Sequence, residues 1–177
     1  MTPLYQRLLG DRYTVLPPEV QALHDVRGTL VAEGRATVRR GRGLGGLLAA
    51  VLSLPPAGAD LPVRVTFTAD GDREIWTRRF GGRVFRSVQW IEDGCVVERL
   101  PLGGLLVFRV HAAPDALTLE LVAVRAFGIP LTGLLRPEVL GEERVVDGRF
   151  QFHVRVRLRG IGFVVAYKGT LVPVAEA

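Results

Sequence analysis

Three glycines and the arginines around them form the sharpest chemical motif in the sequence. Gly41-x-Gly43-x-x-Gly46 has the spacing that lets backbone N–H groups approach the phosphates of a dinucleotide, when a buried parallel strand precedes it and a helix follows. Residues 29–39 instead alternate polar and apolar, whereas a central parallel strand is apolar nearly throughout. We therefore expect no dinucleotide and no other cofactor. Two interpretations stay open: the helix start with Arg40 and Arg42 holds a phosphate or carboxylate, or the glycines form a flexible turn beside a solvated basic strand end.

The residues that could bind a metal or transfer a proton are poorly spaced. His24, His111 and His153 lack metal-ligand spacing, and the single cysteine, Cys95, does not complete a site. An enzyme would need a polar cluster inside the fold, such as His111 or His153 with Glu142, and neither histidine is predicted to face inward. We assign no metal site and no catalytic residue. Enzymatic activity stays an open question, with a non-catalytic role favoured.

The serines and the acidic residues also favour a non-catalytic role. Ser53 and Ser87 are the only serines, and neither lies in a Gly-x-Ser-x-Gly elbow. Glu74 and Glu142-Glu143 could act as acids in a pocket, but charged residues on strands usually face solvent. We expect these carboxylates to be exposed.

An apolar segment over residues 44–54 follows the glycine motif. It is too short for a bilayer, which takes about 20 residues, and it reads as a helix that ends before Pro55-Pro56. Leucines and valines go almost all round this helix, so one covered side would leave apolar side chains in water. The helix is therefore core, a lid over an apolar pocket, or an interfacial helix. As a lid, it would line the pocket with Leu47, Leu48 and Val51.

One predicted strand combines apolar with uncharged polar residues. If Phe85, Ser87 and Gln89 share the interior face, that face is partly polar, as the wall of a ligand cavity would be. The opposite register would instead bury Val84 and Trp90. We predict the first three residues as part of a ligand site.

The elements that position these residues are mainly strands. Two short helices are predicted within residues 1–25, and from residue 28 the pattern alternates between short Asp-Gly and Gly-Gly turns, which gives about nine or ten antiparallel strands. The fold class is mainly β (α+β): a strongly curved antiparallel sheet or barrel, with the 44–54 helix on its concave face or across its mouth. The alternative is a helix-grip sheet that wraps one long helix. Whether the barrel closes stays open.

Composition limits the class of protein and its partners. The 177 residues, 48% hydrophobic and 23% charged, predict a single globular domain, with an N-terminal helical segment over 1–25 and a β-rich body over 28–173. The net charge is +5, and Lys168 is the only lysine. Arginines are dispersed among acids without interleaved aromatics, so we expect no nucleic-acid partner. Residues 1–10 lack signal-peptide features, which predicts a cytoplasmic location, with peripheral association with a membrane as the alternative.

The sequence also resembles a family. The resemblance is carried by five segments: Leu4-Tyr5 to Gly10, Leu16-Pro17 to His24, Gly34 to Gly41, Leu54-Pro55-Pro56-Ala57-Gly58, and Trp76-Thr77-Arg78-Arg79-Phe80-Gly81-Gly82. These are similar to the bacterial family called domain of unknown function 4166, over residues 4–173. The resemblance implies a bacterial domain that occurs alone or joined to NAD-binding dehydrogenase-like or membrane segments. It brings no established catalytic residues.

The favoured function is a non-catalytic binding module for a hydrophobic or acyl-type small molecule. Arg40 or Arg42 would meet an anionic head group, and the apolar part would lie under the 44–54 helix. The alternative is an interaction domain that docks on a dehydrogenase-like or membrane-associated partner. A hollow interior favours the ligand, and an exposed helix face over a solid interior favours docking.

Overall fold

The computed structural model of the chain describes residues 2–174, which contain three α-helices and three short 3₁₀ helices. The α-helices are α1 (Leu4–Leu9), α2 (Pro18–His24) and α3 (Gly43–Val51), and the 3₁₀ helices are Gly10–Val15, Pro101–Gly103 and Gly133–Leu135. The predicted N-terminal helices are confirmed. The apolar helix begins one residue earlier than predicted and ends before Leu52, because Ser53 has a φ of 55°. At nine residues α3 is the longest helix in residues 2–174, well short of the roughly 20 residues that cross a bilayer.

Eleven strands make up the rest of the described chain. They are β1 (Thr29–Arg40), β2 (Gly58–Asp70), β3 (Arg73–Phe80), β4 (Arg83–Glu92), β5 (Cys95–Arg99), β6 (Gly104–Ala112), β7 (Ala116–Ala126), β8 (Ile129–Pro130), β9 (Pro137–Val146), β10 (Arg149–Leu158) and β11 (Gly162–Val174). All pairings are antiparallel. The predicted mainly β fold is therefore confirmed.

Ten of the strands close into a barrel. Each strand pairs with the next along the chain, except that β9 pairs with β7 because the short β8 lies on the end of β7. The first strand, β1, then pairs with the last, β11, from Val31 opposite Val174 to Arg40 opposite Val165. Closure removes the free edges that a sheet of this width would otherwise expose.

Two Asp-Gly dipeptides set tight hairpins. Asp93-Gly94 joins β4 to β5 and Asp147-Gly148 joins β9 to β10, and both residues of each pair have a positive φ. Two-residue loops with this geometry match the right-handed twist of the flanking strands. These turns were readable in the sequence and fix the register of the strands on either side.

Because neighbouring strands run in opposite directions, the connections fall at two ends of the barrel. The α3 end carries the connections 41–57, 81–82, 100–103, 127–136 and 159–161. The capped end carries the N-terminal helices and the connections 71–72, 93–94, 113–115 and 147–148. The two ends therefore differ in which segments surround the barrel axis.

The N-terminal helices cover the capped end. α1 contacts β4, and α2 contacts β9, β10 and β11, so the two helices reach opposite walls. Their inner faces are buried, including Leu4 and Tyr5 of α1 and Val20 and Leu23 of α2. Burial of these side chains closes this end of the barrel with apolar contacts.

The glycine motif packs α3 against the barrel wall. The backbone N–H of Gly41 donates to the carbonyl oxygen of Val164 at 2.8 Å, and a Cβ on Gly41 or Gly45 would overlap the carbonyl oxygen of Phe163. Gly43 has a φ of 55°, a conformation that favours glycine. The spacing therefore allows the start of α3 to lie directly on β11.

This packing predicts the effect of one added methyl group. We expect Gly45→Ala to lower the free energy of unfolding by about 1–3 kcal/mol, because its Cβ needs α3 to move away from β11. Urea unfolding followed by tryptophan fluorescence measures the change. Gly28→Ala is the control, since a methyl group added to Gly28 would meet no atom within 4 Å and the φ of this residue is ordinary. Equal stability of the two variants would contradict the close packing of α3.

Candidate ligand-binding cavity

A cavity of about 410 Å³ occupies the barrel interior. This volume lies in the range of roughly 300–1,000 Å³ that small-molecule sites occupy. Its wall is mainly apolar, and eight aromatic side chains line it: Phe67, Trp76, Phe80, Phe85, Phe108, Phe150, Phe152 and Tyr167. Burial raises the pKa of Tyr167 to about 12, so its hydroxyl stays neutral at physiological pH. The interior is thus a hollow space with a mainly apolar wall.

α3 contributes only one of its faces to this cavity. Leu48 lines the cavity, as do Leu52 and Leu54 just beyond the helix. Leu47 and Val51, which were predicted to line a pocket, lie on the outer side of α3 and are 61% and 57% exposed. The nearly uniform apolar surface of this helix therefore divides into a cavity face and an exposed face.

The two arginines predicted to meet an anionic head group lie in different surroundings. Arg40 is partly buried, and its Nη2 donates to the carbonyl oxygens of Ala49 and Leu54 at 2.8 and 2.6 Å. It thereby holds the C-terminal end of α3, where a cation is favoured by the helix dipole. Arg42 is exposed at the residue before α3. Of the two, Arg42 has the freer guanidinium at the α3 end.

A ring of exposed apolar side chains surrounds the α3 end. We call these nine side chains the rim: Leu44, Leu47 and Val51 on α3, Leu102, Phe127, Ile129, Leu134, Leu135 and Ile161. Three of the connections that carry them touch one another, since Phe127 lies against Gly103 and Gly160 donates its N–H to the carbonyl oxygen of Leu134 at 3.3 Å. Leu135 belongs to both the rim and the cavity wall. The apolar interior therefore continues to the surface at this end.

The inner face of β4 carries the three side chains that were predicted to share it. Phe85, Ser87 and Gln89 are all buried, and Phe85 and Gln89 line the cavity. The Ser87 hydroxyl donates to Glu98 Oε1 at 2.6 Å and accepts from Arg78 Nη1 at 2.7 Å. The inward register of β4 therefore introduces polar atoms into an otherwise apolar wall.

Arg78 and Glu98 complete this polar group. Arg78 Nη2 donates to Glu98 Oε1 at 3.1 Å, so the arginine, the carboxylate and Ser87 form a closed triangle across β3, β4 and β5. The guanidinium carbon also lies 4.6 Å from the ring centroid of Trp76 and 5.5 Å from that of Phe85. Stacking and pairing together satisfy a charge that would otherwise be costly beside an apolar cavity.

A second polar group forms the floor beneath the helical cap. His24 of α2 is 1% exposed, and its Nε2 lies 2.6 Å from Glu143 Oε2 on β9. Burial alone would lower the pKa of His24, but the charge and hydrogen bond of Glu143 outweigh it, so the pKa is raised. Tyr5 stacks on His24 with ring centroids 3.9 Å apart and donates to Gln89 Oε1 at 3.2 Å. The cap is thus joined to two walls of the barrel.

Glu74 is a second acid of this floor. Its carboxylate accepts from the backbone N–H of Leu4 and from Trp76 Nε1, both at 3.1 Å. Burial raises its pKa despite these two donors. The carboxylate therefore holds the start of α1 against the barrel wall.

The family of the chain follows from a match over most of its length. The family model described as "Domain of unknown function (DUF4166)" matches residues 16–171, which include the barrel and its cavity. This chain belongs to that family. The predicted resemblance is confirmed. No curated protein matches the chain.

A solved structure is similar to the DUF4166 chain in fold. It is the crystal structure of a protein of unknown function from the DUF3598 family of Nostoc punctiforme PCC 73102. The TM-score is 0.52 at 14% sequence identity, and the match covers 82% of this chain and 47% of the other. The DUF4166 chain thus spans about half the length of that protein. At this identity the similarity concerns the barrel fold alone.

The polar groups of the DUF4166 cavity differ from those expected. Glu74 and Glu143 were predicted to be exposed, and this is wrong, because Glu74 is buried and the Glu143 side chain is 13% exposed. One signal in the sequence indicates the burial of Glu74. Glu74 and Arg78 lie on the same face of β3 as the apolar residues Trp76 and Phe80. No local pattern joins His24 to Glu143, which meet only through the closed barrel.

The clusters considered for an enzyme do not form in the DUF4166 cavity. His111 is an exposed partner of Glu120 at 2.9 Å, and neither His153 nor Glu142 lines the cavity. Within residues 2–174, no group of three or more histidine, cysteine, aspartate or glutamate side chains has metal-binding geometry.

A second, larger depression lies on the outside of the DUF4166 barrel. This groove of about 750 Å³ runs along β7, β9 and β10 and is lined by Arg136, Arg155, Arg157 and Arg159. Arg136 donates to backbone carbonyls of β7, and Arg159 pairs with Glu138. The groove is shallow and carries four arginines, so the inner cavity, whose wall is mainly apolar, is the better candidate for a small apolar ligand.

The raised pKa of His24 predicts a pH-dependent contribution of the Glu143 pair. The His24 charge is favoured by folding, so its contribution is complete below the ordinary pKa of 6.5 and is lost as pH rises through the raised folded value. We expect Glu143→Gln to lower the free energy of unfolding by about 1.5–3 kcal/mol near pH 6 and by less near pH 9. Urea unfolding at both pH values measures the two differences.

Glu142→Gln is the control for this prediction. Glu142 is the neighbouring residue of β9, pairs with Arg144 and lies outside the cavity. We expect its effect to stay within about 0.5 kcal/mol at both pH values. A loss for Glu143→Gln that is equal at the two pH values would contradict a charged His24.

Proposed function

We propose that this chain is a non-catalytic binding protein for an apolar, acyl-type small molecule held inside the barrel. The observation that carries the proposal is the cavity of about 410 Å³ inside the barrel, with its aromatic and aliphatic wall. If this cavity were empty, the side chains that line it would lose many packing contacts. A bound apolar molecule restores those contacts. The hollow interior is the feature that favours a ligand over a purely docking role.

The polar groups of the cavity support an uncharged molecule in the deep part of the site. Arg78 is neutralised by Glu98, and His24 is paired with Glu143, so the deep wall and the floor offer no free charge to a ligand. Arg125, which also lines the cavity, is exposed at the α3 end of β7. An ionic group placed here would lose its hydration without a partner of its own. The apolar part of the molecule therefore lies inward, between β4 and the face of α3 that carries Leu48.

The head group then lies at the α3 end. Arg42 is exposed there, and we propose it as the residue that meets an anionic head group. We propose that Arg40 acts through α3, since its guanidinium already binds the carbonyl oxygens of Ala49 in the helix and of Leu54 just beyond it. Leu48, Phe85 and Gln89 contact the ligand from the cavity wall, with Ser87 holding Arg78 behind them.

A substitution that fills the cavity tests this function. Val154 lines the cavity on β10, and we expect Val154→Phe to weaken binding of 11-(dansylamino)undecanoic acid by at least about ten-fold, because the ring takes up the space of the probe. Fluorescence titration measures the affinity. Native mass spectrometry of the purified chain checks for a molecule that copurifies with the wild type and is depleted in the variant.

Val172→Phe is the matched control, since it makes the same change at an exposed position of β11. We expect wild-type affinity for this variant, and circular dichroism establishes that both variants are folded. Equal probe affinity for the two variants, or no saturable binding to the wild type, would refute the proposed function.

A further inference from the structure

The exposed apolar side chains of the chain are concentrated at one end. Of the thirteen large hydrophobic side chains that are exposed in residues 2–174, nine belong to the rim. Three lie on α3, one in the connection 100–103, four in 127–136 and one in 159–161. Phe127 is the most exposed of them, at 81%. Scattered apolar residues need no explanation, but the concentration of nine of them at one end of a barrel indicates a surface that meets an apolar environment.

The charges of the chain are divided between the same two ends. Within the connections of the α3 end and three strand residues on either side there are eleven arginines and three carboxylates, Asp60, Glu98 and Glu138. Residues 2–31 and the equivalent segments of the capped end contain six arginines and ten carboxylates. The net charge of +5 therefore arises from a strongly positive α3 end and a negative capped end.

We propose that the rim docks on the surface of a membrane that contains anionic lipids, and that the ligand enters and leaves the barrel there. Only the second step, the passage of the ligand, rests on the proposed function; docking of the rim does not depend on the cavity. Apolar side chains enter the boundary between head groups and acyl chains, and arginines around them meet lipid phosphates. The rim has both parts of this chemistry in one place.

Because the rim is continuous with the cavity wall, the docked chain offers the ligand a path between the membrane and the cavity. Leu135 is exposed at the rim and lines the cavity, and Leu48 and Leu47 are neighbours on the inner and outer sides of α3. An apolar molecule that moves between the bilayer and the barrel through this end stays in contact with apolar side chains. It avoids the exposure to water that a route through the capped end would require.

The charge distribution favours a membrane over a second copy of the chain. Two copies that met through their rims would bring two arginine-rich ends together, and like charges at such a contact oppose association. An anionic lipid surface attracts that end and repels the acidic capped end. The chain is thereby oriented with the opening of the cavity toward the lipid.

Cosedimentation of the full chain with vesicles tests the docking. We expect binding to vesicles of phosphatidylcholine with phosphatidylglycerol to be roughly ten-fold tighter than to phosphatidylcholine alone, and to weaken as salt is raised. We expect Phe127→Ser/Leu134→Ser to weaken binding at least ten-fold through loss of apolar contact. Arg83→Glu/Arg99→Glu, at exposed positions of the α3 end, removes and reverses two attractive charges and has the same expected effect.

Controls at the capped end separate docking from general effects. Val15→Ser and Arg12→Glu/Arg149→Glu make the same chemical changes at exposed positions far from the rim, and we expect wild-type binding for both. Equal loss in these controls, equal binding to the two vesicle types, or no binding to either would overturn the docking. If the chain binds neither vesicle type but still binds the probe, the rim would instead be a contact surface for a protein partner.

A transfer experiment distinguishes failure of docking from failure of ligand binding. The chain is loaded with 11-(dansylamino)undecanoic acid and mixed with vesicles that carry a rhodamine lipid, so that energy transfer reports delivery. We expect delivery to accelerate with the anionic lipid fraction and to slow about ten-fold in Phe127→Ser/Leu134→Ser. Probe binding without vesicle binding overturns the docking and leaves the proposed function. Vesicle binding without probe uptake overturns the proposed function, and with it the ligand route, and leaves the docking.

Discussion

β1 and β11 hold the barrel closed through an unusually close pairing. Gly34 of β1 and Gly169 of β11 lie in this pair, and a Cβ on either residue would overlap a carbonyl oxygen of the opposite strand, that of Thr170 or Arg35. The same strand, β11, receives the start of α3 on the carbonyl of Phe163. Closure and the placement of α3 therefore depend on backbone contact that only glycine permits. Without it the cavity would have no complete wall.

Local sequence patterns predict the helices and strands of this fold but not the closure of the barrel. The alternation of residues 29–39 predicted β1, the Asp-Gly pairs predicted the hairpins, and the prolines at 17–18 predicted the start of α2. These signals act between neighbouring residues. The pairing of β1 with β11 joins the two ends of the sheet, and no turn residue records it. The sequence therefore does not distinguish a curved open sheet from a closed barrel.

The cavity was predictable in its apolar part and less so in its polar part. Phe85, Ser87 and Gln89 follow from the period of a single strand, and the surplus of leucine on α3 predicts that one covered side leaves apolar side chains exposed, as Leu47 and Val51 are. The pair of His24 and Glu143 spans 119 positions, and the contact of Arg78 with Glu98 needs the register of three strands at once. Such pairs are set by tertiary structure, so strand charges that are usually solvated became a buried network here.

Closure between the first and last strands also determines when this chain can fold. While the ribosome is still making β9 and β10, β1 has β2 on one side and an unpaired edge on the other. Its second partner exists only once β11 has left the exit tunnel, so the complete barrel forms after nearly all of the described residues have been synthesised. Strand pairing over such long sequence separation is slow, and open strand edges invite aggregation in the meantime. Expression of this barrel should therefore respond to translation rate and to chaperone supply more strongly than that of a helical bundle of the same length.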